Sequence, residues 1–258
     1  LFKIYDKVVY SKFREIFGSR VDKLVSGGAP LSKDIAQFFV NIGVPVYQGY
    51  GLTEFSPVIS TNYPNANKVG SCGKVIPSAK VKITANNELL VSGDSLMIGY
   101  LNQEELTAKT IDKDGWLHTG DVAFLDEDGY LFIKSRIKDI FKTSTGEYVN
   151  AVEIEQKIST NKYIEFAVVI SQNRKYTSAL LFVDKEKYEN AKKLNKNLTI
   201  EEYYNKDDIL KNISNHINSV NSALNKWEKI VKFKILTNDI SIETGELTPS
   251  MKISRSKI

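Results

Sequence analysis

The first 69 residues alternate between helix-type and strand-type patterns, and this alternation restricts the fold more than any other feature of the sequence. Apolar residues recur at helical spacing from Ile4 to Phe17, and the run "VDKLVS" has the pattern of a short strand. A second helical pattern begins at Ser32, a typical N-cap residue, and ends at Gly43. A strand-type segment follows and then changes into a loop. This order predicts an α/β unit, in which ligands bind where strand ends meet helix starts.

Short strands separated by turn residues replace this pattern between residues 70 and 136. The clearest of them form a hairpin around residues 126–129, and one helical segment, "QEELTAKTI", interrupts the series. The pattern predicts a small β-barrel or twisted sheet packed beside the α/β unit.

A third pattern begins after Arg136. The hairpin-type run "IKDIFKTSTGEYV" leads to a helix and two strands, and the Lys-, Asn- and Glu-rich residues 184–230 predict exposed amphipathic helices. A last strand, "KFKILT", precedes an end with Gly, Pro and Ser that predicts a mobile tail or loop. The fold class is therefore predicted as α/β plus α+β, with a domain boundary near residues 136–138.

Length and composition agree with two units. A chain of 258 residues that is 42% hydrophobic can bury more core than one average domain needs. No apolar run approaches the roughly 20 residues of a transmembrane helix, and the start has no signal-peptide pattern. Because the sequence begins with Leu1 instead of Met, we expect a piece of a longer chain. A single cysteine, Cys72, cannot form an internal disulfide, which favours a reducing, cytoplasmic setting.

Charge excludes some classes of partner. The formal net charge of +4 lies in residues 138–258 and is diluted there by acidic residues. This dilution argues against a nucleic-acid partner, although a mild excess of positive charge can attract a phosphate-bearing ligand. The two histidines, His118 and His216, are far apart and have no cysteine beside them, so a transition-metal cage is not expected and His118 is predicted to be structural.

Six short motifs occur in an order that resembles the adenylate-forming (AMP-binding) superfamily, and within it the long-chain fatty acyl-CoA synthetases. They are "SGGAP" at 26–30, "YGLTE" at 50–54, "TGD" at 119–121, "SRIKD" at 135–139, "TGE" at 145–147 and "LTPSMK" at 247–252. Each motif is weak alone, but their order along the chain is specific. The resemblance implies that residues 1–137 are the C-terminal portion of a large AMP-binding domain, with an α/β unit (1–69) and a β-rich subdomain (70–137). Residues 138–258 would be its small mobile domain.

The motif "YGLTE" is predicted to bind a nucleotide. Tyr50 offers a flat face on which a purine can stack, and Gly51 lets the backbone approach a ligand closely. Thr53 can donate a hydrogen bond to a phosphate oxygen, while Glu54 can hold Mg²⁺ against that phosphate. The resemblance implies these roles toward ATP and AMP. For the residues taken alone, a loop with a core tyrosine and an exposed glutamate stays open.

Two further motifs add implied nucleotide contacts. Asp121 can accept hydrogen bonds from both ribose hydroxyls, and Arg136 can reach ribose or phosphate. An ordinary turn aspartate and a surface arginine at a strand end are the alternatives. The loop implied to face the adenine edge consists of Gly27, Gly28, Ala29 and Pro30.

Lys252 is the sharpest candidate for catalysis. On a flexible segment its point charge can bind both the carboxylate being activated and the phosphate that it attacks. Met251 precedes it where the widespread form of the motif has glycine, which fits the fatty-acyl branch. The resemblance also implies that Lys138 is a hinge residue and that the loop of Gly146 lines the path of CoA.

The expected activity belongs to a longer protein. The phosphate loop of the superfamily has no match in this sequence, so the chain alone is expected to be inactive in adenylation. The longer protein is expected to be an ATP-dependent long-chain fatty acid–CoA ligase that forms an acyl-adenylate and then a thioester, with fatty acid, ATP, Mg²⁺ and CoA as reactants. The alternatives are a ligase that delivers the acyl group to a carrier protein, and a non-catalytic nucleotide-binding fragment. Fatty substrates are compatible with peripheral attachment to a membrane surface, which the sequence does not specify.

Overall fold

The computed structural model describes residues 5–18, 20–249 and 252–258, so Ile4, Ser250 and Met251 of the patterns above lie outside it. The chain divides into two compact units, unit 1 from Leu1 to Ile137 and unit 2 from Lys138 to Ile258. Each unit has its own sheets and its own apolar core, and each is described by itself.

The first sheet of unit 1 has four strands. They are β1 (Leu24–Ser26), β2 (Val46–Gly51), β3 (Val58–Thr61) and β4 (Lys74–Val75), in that spatial order. Strands β1 and β2 are parallel, and the other pairs are antiparallel. Helix α1 (Ser11–Ile16) follows a π-helical turn at Asp6–Tyr10, and helix α2 (Lys33–Asn41) lies between β1 and β2. The predicted α/β order is confirmed, with Ser32 at the N-cap of α2 and Gly43 beyond its end at φ +82°.

The prediction of a loop after β2 is wrong for the last part of that segment. The chain reverses at Ser56, whose φ is +56°, and returns as β3 beside β2. Strand β3 lies between β2 and β4, with Ser60 and Thr61 paired on both sides, and it buries Ile59 and Ser60. Through β4 the first sheet extends to Val75, beyond residue 69.

The second sheet of unit 1 is an antiparallel meander. Its strands are β5 (Ala79–Ile83), β6 (Glu88–Gly93), β7 (Leu117–Leu125) and β8 (Leu131–Arg136). Helix α3 (Glu104–Thr110) is inserted between β6 and β7, as the sequence predicts. The two sheets share one apolar core, which consists of Phe55, Ile59, Ala79, Leu89, Val91, Ala123 and Leu131. The β-rich part is therefore confirmed as a small twisted sheet packed on the α/β part.

Unit 2 is an α+β structure. A hairpin of β9 (Ile140–Lys142) and β10 (Tyr148–Asn150) leads into helix α4 (Ala151–Ile158). The main sheet is formed by β11 (Ile164–Ile170), β12 (Thr177–Val183) and β13 (Ile230–Leu236), with β12 and β13 parallel. The connection between these parallel strands contains α5 (Lys185–Lys192), α6 (Ile200–Tyr204) and α7 (Asp207–Ser222).

The helices of this connection are amphipathic, as predicted, but one face of α7 is core. Ile209, Ile213 and Ile217 recur every four residues and, with Val220, are almost completely buried. They join the cluster that includes Ile154 of α4 and Leu181 of β12. A fully buried isoleucine or leucine stabilises a fold by about 1.5–3 kcal/mol, so this face fixes the long connection to the core of unit 2.

The described residues after β13 form a loop that is held to unit 2, while the predicted mobility stays a prediction. Leu247 and Ile253 form an isolated antiparallel bridge, and Leu247 is buried. A 3-10 turn, Arg255–Lys257, follows. Within the described residues, no helix is both long enough and apolar enough to cross a bilayer.

Candidate functional site

Two of the predicted motifs meet at one edge of the first sheet. Strands β1 and β2 run parallel, with Ser26 opposite Gln48, so both strands end at the same edge. The loop after β1 holds the exposed residues 27–30, and the loop after β2 starts at Leu52. Gly27 lies close to β2, since a Cβ atom added to it would be 3.6 Å from the carbonyl oxygen of Gly49. This is the edge at which α/β sheets bind ligands.

Gly51 is required by the chain's own backbone. A Cβ atom at this position would lie 1.9 Å from the carbonyl oxygen of Pro57, which accepts a hydrogen bond from the Leu52 N–H at 2.8 Å. The sequence predicts that Gly51 lets a ligand approach the backbone. In the structure the close neighbour is Pro57, directly before β3. The absence of a side chain at Gly51 therefore allows the sharp turn that carries Thr53 and Glu54.

Thr53 and Glu54 lie in a 3-10 turn, Thr53–Phe55, that follows β2. Phe55 is completely buried and fixes the turn, while Thr53 is exposed and Glu54 is partly exposed. The Tyr100 hydroxyl donates a hydrogen bond of 2.8 Å to Glu54 Oε1. The Met97 N–H donates to the Glu54 carbonyl oxygen at 2.9 Å. The turn is thus held by the segment between β6 and α3.

Asp121 is the most deeply buried carboxylate of the site, with a side chain only 4% exposed. Its Oδ2 accepts a hydrogen bond of 2.5 Å from the Tyr50 hydroxyl, and its Oδ1 accepts one of 3.1 Å from Arg136 Nε. Burial, together with the nearby Asp121 charge, raises the pKa of Tyr50 above its usual value. The hydroxyl of Tyr50 therefore stays protonated and remains a donor to Asp121. Tyr50, Glu54, Asp121 and Arg136 are called the rim below.

Backbone contacts fix the "TGD" turn that carries Asp121. The Asp121 N–H donates to Thr119 Oγ1 at 3.1 Å, and the Thr119 hydroxyl donates to the Leu89 carbonyl oxygen at 2.7 Å. The Gly120 N–H donates to Glu88 Oε1 at 3.1 Å, and the other oxygen of Glu88 lies 3.1 Å from His118 Nδ1. Strand β6 thus holds the turn in place.

A cavity of about 140 Å³ opens beside these groups. It is lined by Leu52, Glu54, Tyr100, Thr110, Leu117, His118, Thr119 and Arg136. Arg136 is 58% exposed and joins the cavity to Asp121. The structure therefore brings together four residues that the sequence singles out, from three segments far apart in the chain.

Three residues of the cavity wall escaped the sequence analysis. Tyr100 lies before helix α3 and Thr110 is the last residue of that helix, which the sequence marks only as an insert between strands. His118 was expected to be structural. His118 bonds to Glu88 and also lines the cavity. The signals in the sequence were a tyrosine three residues before the N-cap Gln103 of α3 and a histidine beside "TGD".

The donor set suits Mg²⁺ bound together with a phosphate. Among the described residues no group of three or more His, Cys, Asp or Glu side chains is placed to hold a metal ion. Glu54 offers a single carboxylate at the cavity. Mg²⁺ is usually held by one or two carboxylates plus substrate phosphates and water, so one glutamate is compatible with it.

Cys72 does not belong to the site. Its side chain is buried, and burial raises the pKa of its thiol to about 11. A buried thiol with a raised pKa is a poor nucleophile.

The other predicted residues lie in unit 2, where they are described within their own unit. Lys252 is exposed, and its N–H donates to Thr248 Oγ1 at 3.0 Å. Gly146, at φ +93°, forms the exposed turn between β9 and β10. Lys138 lies in the 3-10 turn Ile137–Asp139 at the start of the unit.

An ion pair that the sequence analysis missed anchors the loop of Lys252. Arg255 Nη2 lies 2.5 Å from Glu155 Oε2 of α4, and Arg255 Nη1 donates to the Val169 carbonyl oxygen at 3.3 Å. The Val169 N–H donates to the other oxygen of Glu155 at 2.6 Å. The guanidinium group also lies over the ring of Phe141, 5.1 Å from its centre. These contacts fix the chain three residues after Lys252.

Comparison with known proteins places the chain in a family. The "AMP-binding enzyme" model matches residues 3–101, and the "AMP-binding enzyme C-terminal domain" model matches residues 138–258. A long-chain-fatty-acid–CoA ligase of Mycobacterium tuberculosis is 34% identical over 258 residues, which cover 99% of this chain and 43% of that protein. The chain thus spans less than half the length of this relative.

Solved structures show the same fold. The adenylation domain of a carboxylate reductase from Mycobacterium chelonae matches 99% of this chain and 39% of that chain, with a TM-score of 0.76 and 23% identity. The o-succinylbenzoate-CoA synthetase of Bacillus subtilis, in complex with ATP and a magnesium ion, matches 95% of this chain and 49% of that chain. Its TM-score is 0.68 at 23% identity.

The chain belongs to the AMP-binding, adenylate-forming enzyme family. Within that family, the similar curated proteins are long-chain-fatty-acid–CoA ligases.

Proposed function

We propose that this chain supplies part of the nucleotide site and the C-terminal domain of an ATP-dependent fatty acid–CoA ligase. The observation that carries the proposal is the convergence of the rim: Asp121 bonds to Tyr50 and Arg136, and Arg136 shares a cavity with Glu54. The names of the similar curated proteins support a long-chain fatty acid and CoA as the other two substrates.

In this proposal Asp121 binds the ribose hydroxyls of ATP. Its carboxylate is already oriented by the Tyr50 hydroxyl and by Arg136 Nε, so binding need not order a mobile acid. The exposed part of the Arg136 guanidinium group can bond to ribose or phosphate. The ring of Tyr50 and the backbone of residues 27–30 surround the adenine.

Thr53 and Glu54 act on the phosphate side. The exposed Thr53 hydroxyl donates to an α-phosphate oxygen, and the Glu54 carboxylate holds Mg²⁺. When bound, Mg²⁺ neutralises charge on the phosphates during displacement of pyrophosphate. The binding of ATP and magnesium by the Bacillus subtilis relative supports this choice of ligands.

Lys252 supplies the positive charge for the first step, in which the fatty carboxylate attacks the α-phosphate and pyrophosphate leaves. A cation that contacts the attacking oxygen and the phosphate lowers the barrier, because negative charge develops there in the transition state. In the second step the CoA thiol attacks the acyl-adenylate, AMP leaves, and the loop of Gly146 guides CoA. Lys138 is the proposed hinge between the two steps.

Pyrophosphate exchange tests the activity. The longest gene product that carries this sequence is assayed for fatty-acid-dependent exchange of pyrophosphate into ATP, with acyl chains of several lengths. We expect exchange with long chains, and thioester product with CoA but none with a carrier protein. A protein that binds AMP but shows no exchange with any fatty acid would refute the ligase assignment, and acyl transfer to a carrier protein alone would refute the CoA assignment.

Asp121→Asn tests the nucleotide site. Loss of a charged hydrogen-bond acceptor weakens binding by about 1.5–3 kcal/mol, so we expect AMP to bind roughly 10–100-fold more weakly by calorimetry. Asp114→Asn is the matched control, since Asp114 is an exposed turn residue of the same unit. Equal AMP affinity of Asp121→Asn and the parent protein would remove Asp121 from the site.

A further inference from the structure

Tyr100 is a polar group at the cavity to which the proposed reaction gives no role. It lies in the segment between β6 and α3, 46 positions after Glu54 in the chain, and both side chains line the cavity of about 140 Å³. Its hydroxyl donates to Glu54 Oε1 at 2.8 Å, a distance typical of a good hydrogen bond between oxygen atoms.

The segment that carries Tyr100 is tightly fixed. The Tyr100 N–H donates to Thr107 Oγ1 of α3 at 2.9 Å, and the Thr107 hydroxyl donates to the Gln103 carbonyl oxygen at 3.0 Å. Gly99 lies against the same threonine, because a Cβ atom at Gly99 would be 2.9 Å from Thr107 Cγ2. The position of the Tyr100 ring is therefore set by the first turn of α3.

The hydrogen bond from Tyr100 makes the two carboxylate oxygens of Glu54 different. Oε1 accepts the hydrogen bond from Tyr100, whereas Oε2 accepts none from the residues that the structure describes. The direction of this bond follows from the groups, because an ionised carboxylate can only accept and the phenol O–H of Tyr100 is the donor. One oxygen is held, and the other is left for a cation at the cavity.

We propose that Tyr100 is a positioning residue for Mg²⁺: its hydroxyl fixes the Glu54 carboxylate in the orientation that binds the metal of MgATP. The inference rests on the proposed function, in which Glu54 is the metal ligand. Groups that hydrogen-bond to a metal ligand orient it, and their loss typically weakens metal binding by 10–100-fold.

The test measures two quantities against free Mg²⁺ in the longest gene product that carries this sequence. One is the calorimetric affinity for ATP without fatty acid, and the other is pyrophosphate exchange at saturating ATP and fatty acid. Tyr100→Phe keeps the ring and removes the hydroxyl. We expect its half-saturating Mg²⁺ concentration to rise about 10-fold, with the rate at saturating Mg²⁺ close to that of the parent protein. Tyr63→Phe is the control, because Tyr63 is 46% exposed and its hydroxyl bonds to no described residue. Its Mg²⁺ dependence should equal that of the parent.

Glu54→Gln separates this inference from the proposed function. Loss of exchange at every Mg²⁺ concentration in Glu54→Gln, with a parental Mg²⁺ dependence in Tyr100→Phe, would overturn the role of Tyr100 alone. Parental behaviour of Glu54→Gln would overturn the metal site itself. A lower rate in Tyr100→Phe without a shifted Mg²⁺ requirement would show a purely structural role. Because the half-saturating concentration does not depend on the folded fraction, the test also holds for a less stable variant measured below its melting transition.

Discussion

The rim of unit 1 and the C-terminal loop of unit 2 hold their candidate functional side chains in different ways. At the rim, Asp121 is 4% exposed and both it and Glu54 accept a hydrogen bond from a tyrosine hydroxyl. In the C-terminal loop, Lys252 is exposed and its anchor is Arg255, three residues further on. The difference agrees with the proposed roles, because a nucleotide site gains from fixed acceptors whereas a lysine that is delivered for one step needs a loop.

The largest effect on activity is expected from a substitution in the C-terminal loop of unit 2. Lys252→Ala should lower pyrophosphate exchange by about 10²–10³-fold, since one charged donor to the transition state is lost. Thioester formation from supplied acyl-adenylate should be unchanged. Lys257→Ala, at another exposed lysine of the same loop, is the control and should leave both half-reactions intact. Equal loss of both half-reactions in Lys252→Ala would contradict the role given to Lys252.

The anchor of the loop should matter for stability. Arg255→Ala leaves Glu155, which is 13% exposed, without its guanidinium partner. Breaking a buried ion pair costs about 3–5 kcal/mol, and Arg255 is 23% exposed, so we expect unit 2 to lose about 2–4 kcal/mol at pH 7. Urea unfolding followed by Trp227 fluorescence in a Trp116→Phe background measures it. Lys157→Ala, which breaks an exposed pair with Glu153, should change stability by no more than about 0.5 kcal/mol.

The same variant has a predicted pH dependence. Burial raises the pKa of Glu155 above 4.5, and Arg255 opposes this shift. Removing Arg255 raises the folded-state pKa further, and a raised carboxyl pKa means stability that is present below pH 4.5 and is lost as pH rises through the folded value. The destabilisation by Arg255→Ala should therefore be smaller at pH 4 than at pH 7. An equal loss at both values would show that packing of the arginine, and not its charge, holds the loop.

Alanine substitutions at two glycines of unit 1, Gly51 and Gly120, should destabilise the unit to different extents, which tests how closely the backbone packs beside the rim. Gly51→Ala places a Cβ atom 1.9 Å from a backbone oxygen, so we expect about 2–3 kcal/mol of destabilisation. Gly120→Ala meets no heavy atom of the described residues within 4 Å, but its φ of +69° strains an alanine by about 1–2 kcal/mol. Unfolding followed by Trp116 fluorescence in a Trp227→Phe background compares them. The reverse order would show that the turn at Gly51 can open.

Cys72 should have the smallest effect on activity. Cys72→Ala should keep the parental rate of exchange, because the proposed reaction has no covalent enzyme intermediate and the thiol is buried. With a thiol pKa of about 11, labelling by a thiol reagent at pH 8 should be much slower in the folded protein than in urea. Loss of exchange together with fast labelling would place Cys72 at the active site.

Much of the fold can be predicted from the sequence, because periodicity reports burial. The helices α2, α3 and α4 and the hairpin around residues 126–129 follow from apolar spacing and turn residues. The return of β3 beside β2 could not be predicted, since Ser56 turns the chain at a positive φ without a glycine and β3 also pairs with β4, which lies further along the chain. The buried face of α7 could not be predicted, because its four apolar residues stand in a polar segment and only the fold joins them to the core of unit 2.

For the site, motifs predict which residues matter but not what holds them. The sequence singles out Tyr50 and Asp121, but not the hydrogen bond between them, because its partners are 71 positions apart. Tyr100 and Arg255 have no motif of their own that marks them, and only the fold brings them to Glu54 and Glu155. Contacts between distant segments are not encoded in local spacing.

Phe55, the residue directly after Glu54, has a consequence for how such a protein can change over time. It is completely inaccessible and lies in the core that both sheets of unit 1 share. An insertion or deletion beside Glu54 would pull this ring out of the interior and weaken the whole unit. Changes in chain length are therefore expected in other loops of unit 1, while this turn is inherited with its length unchanged.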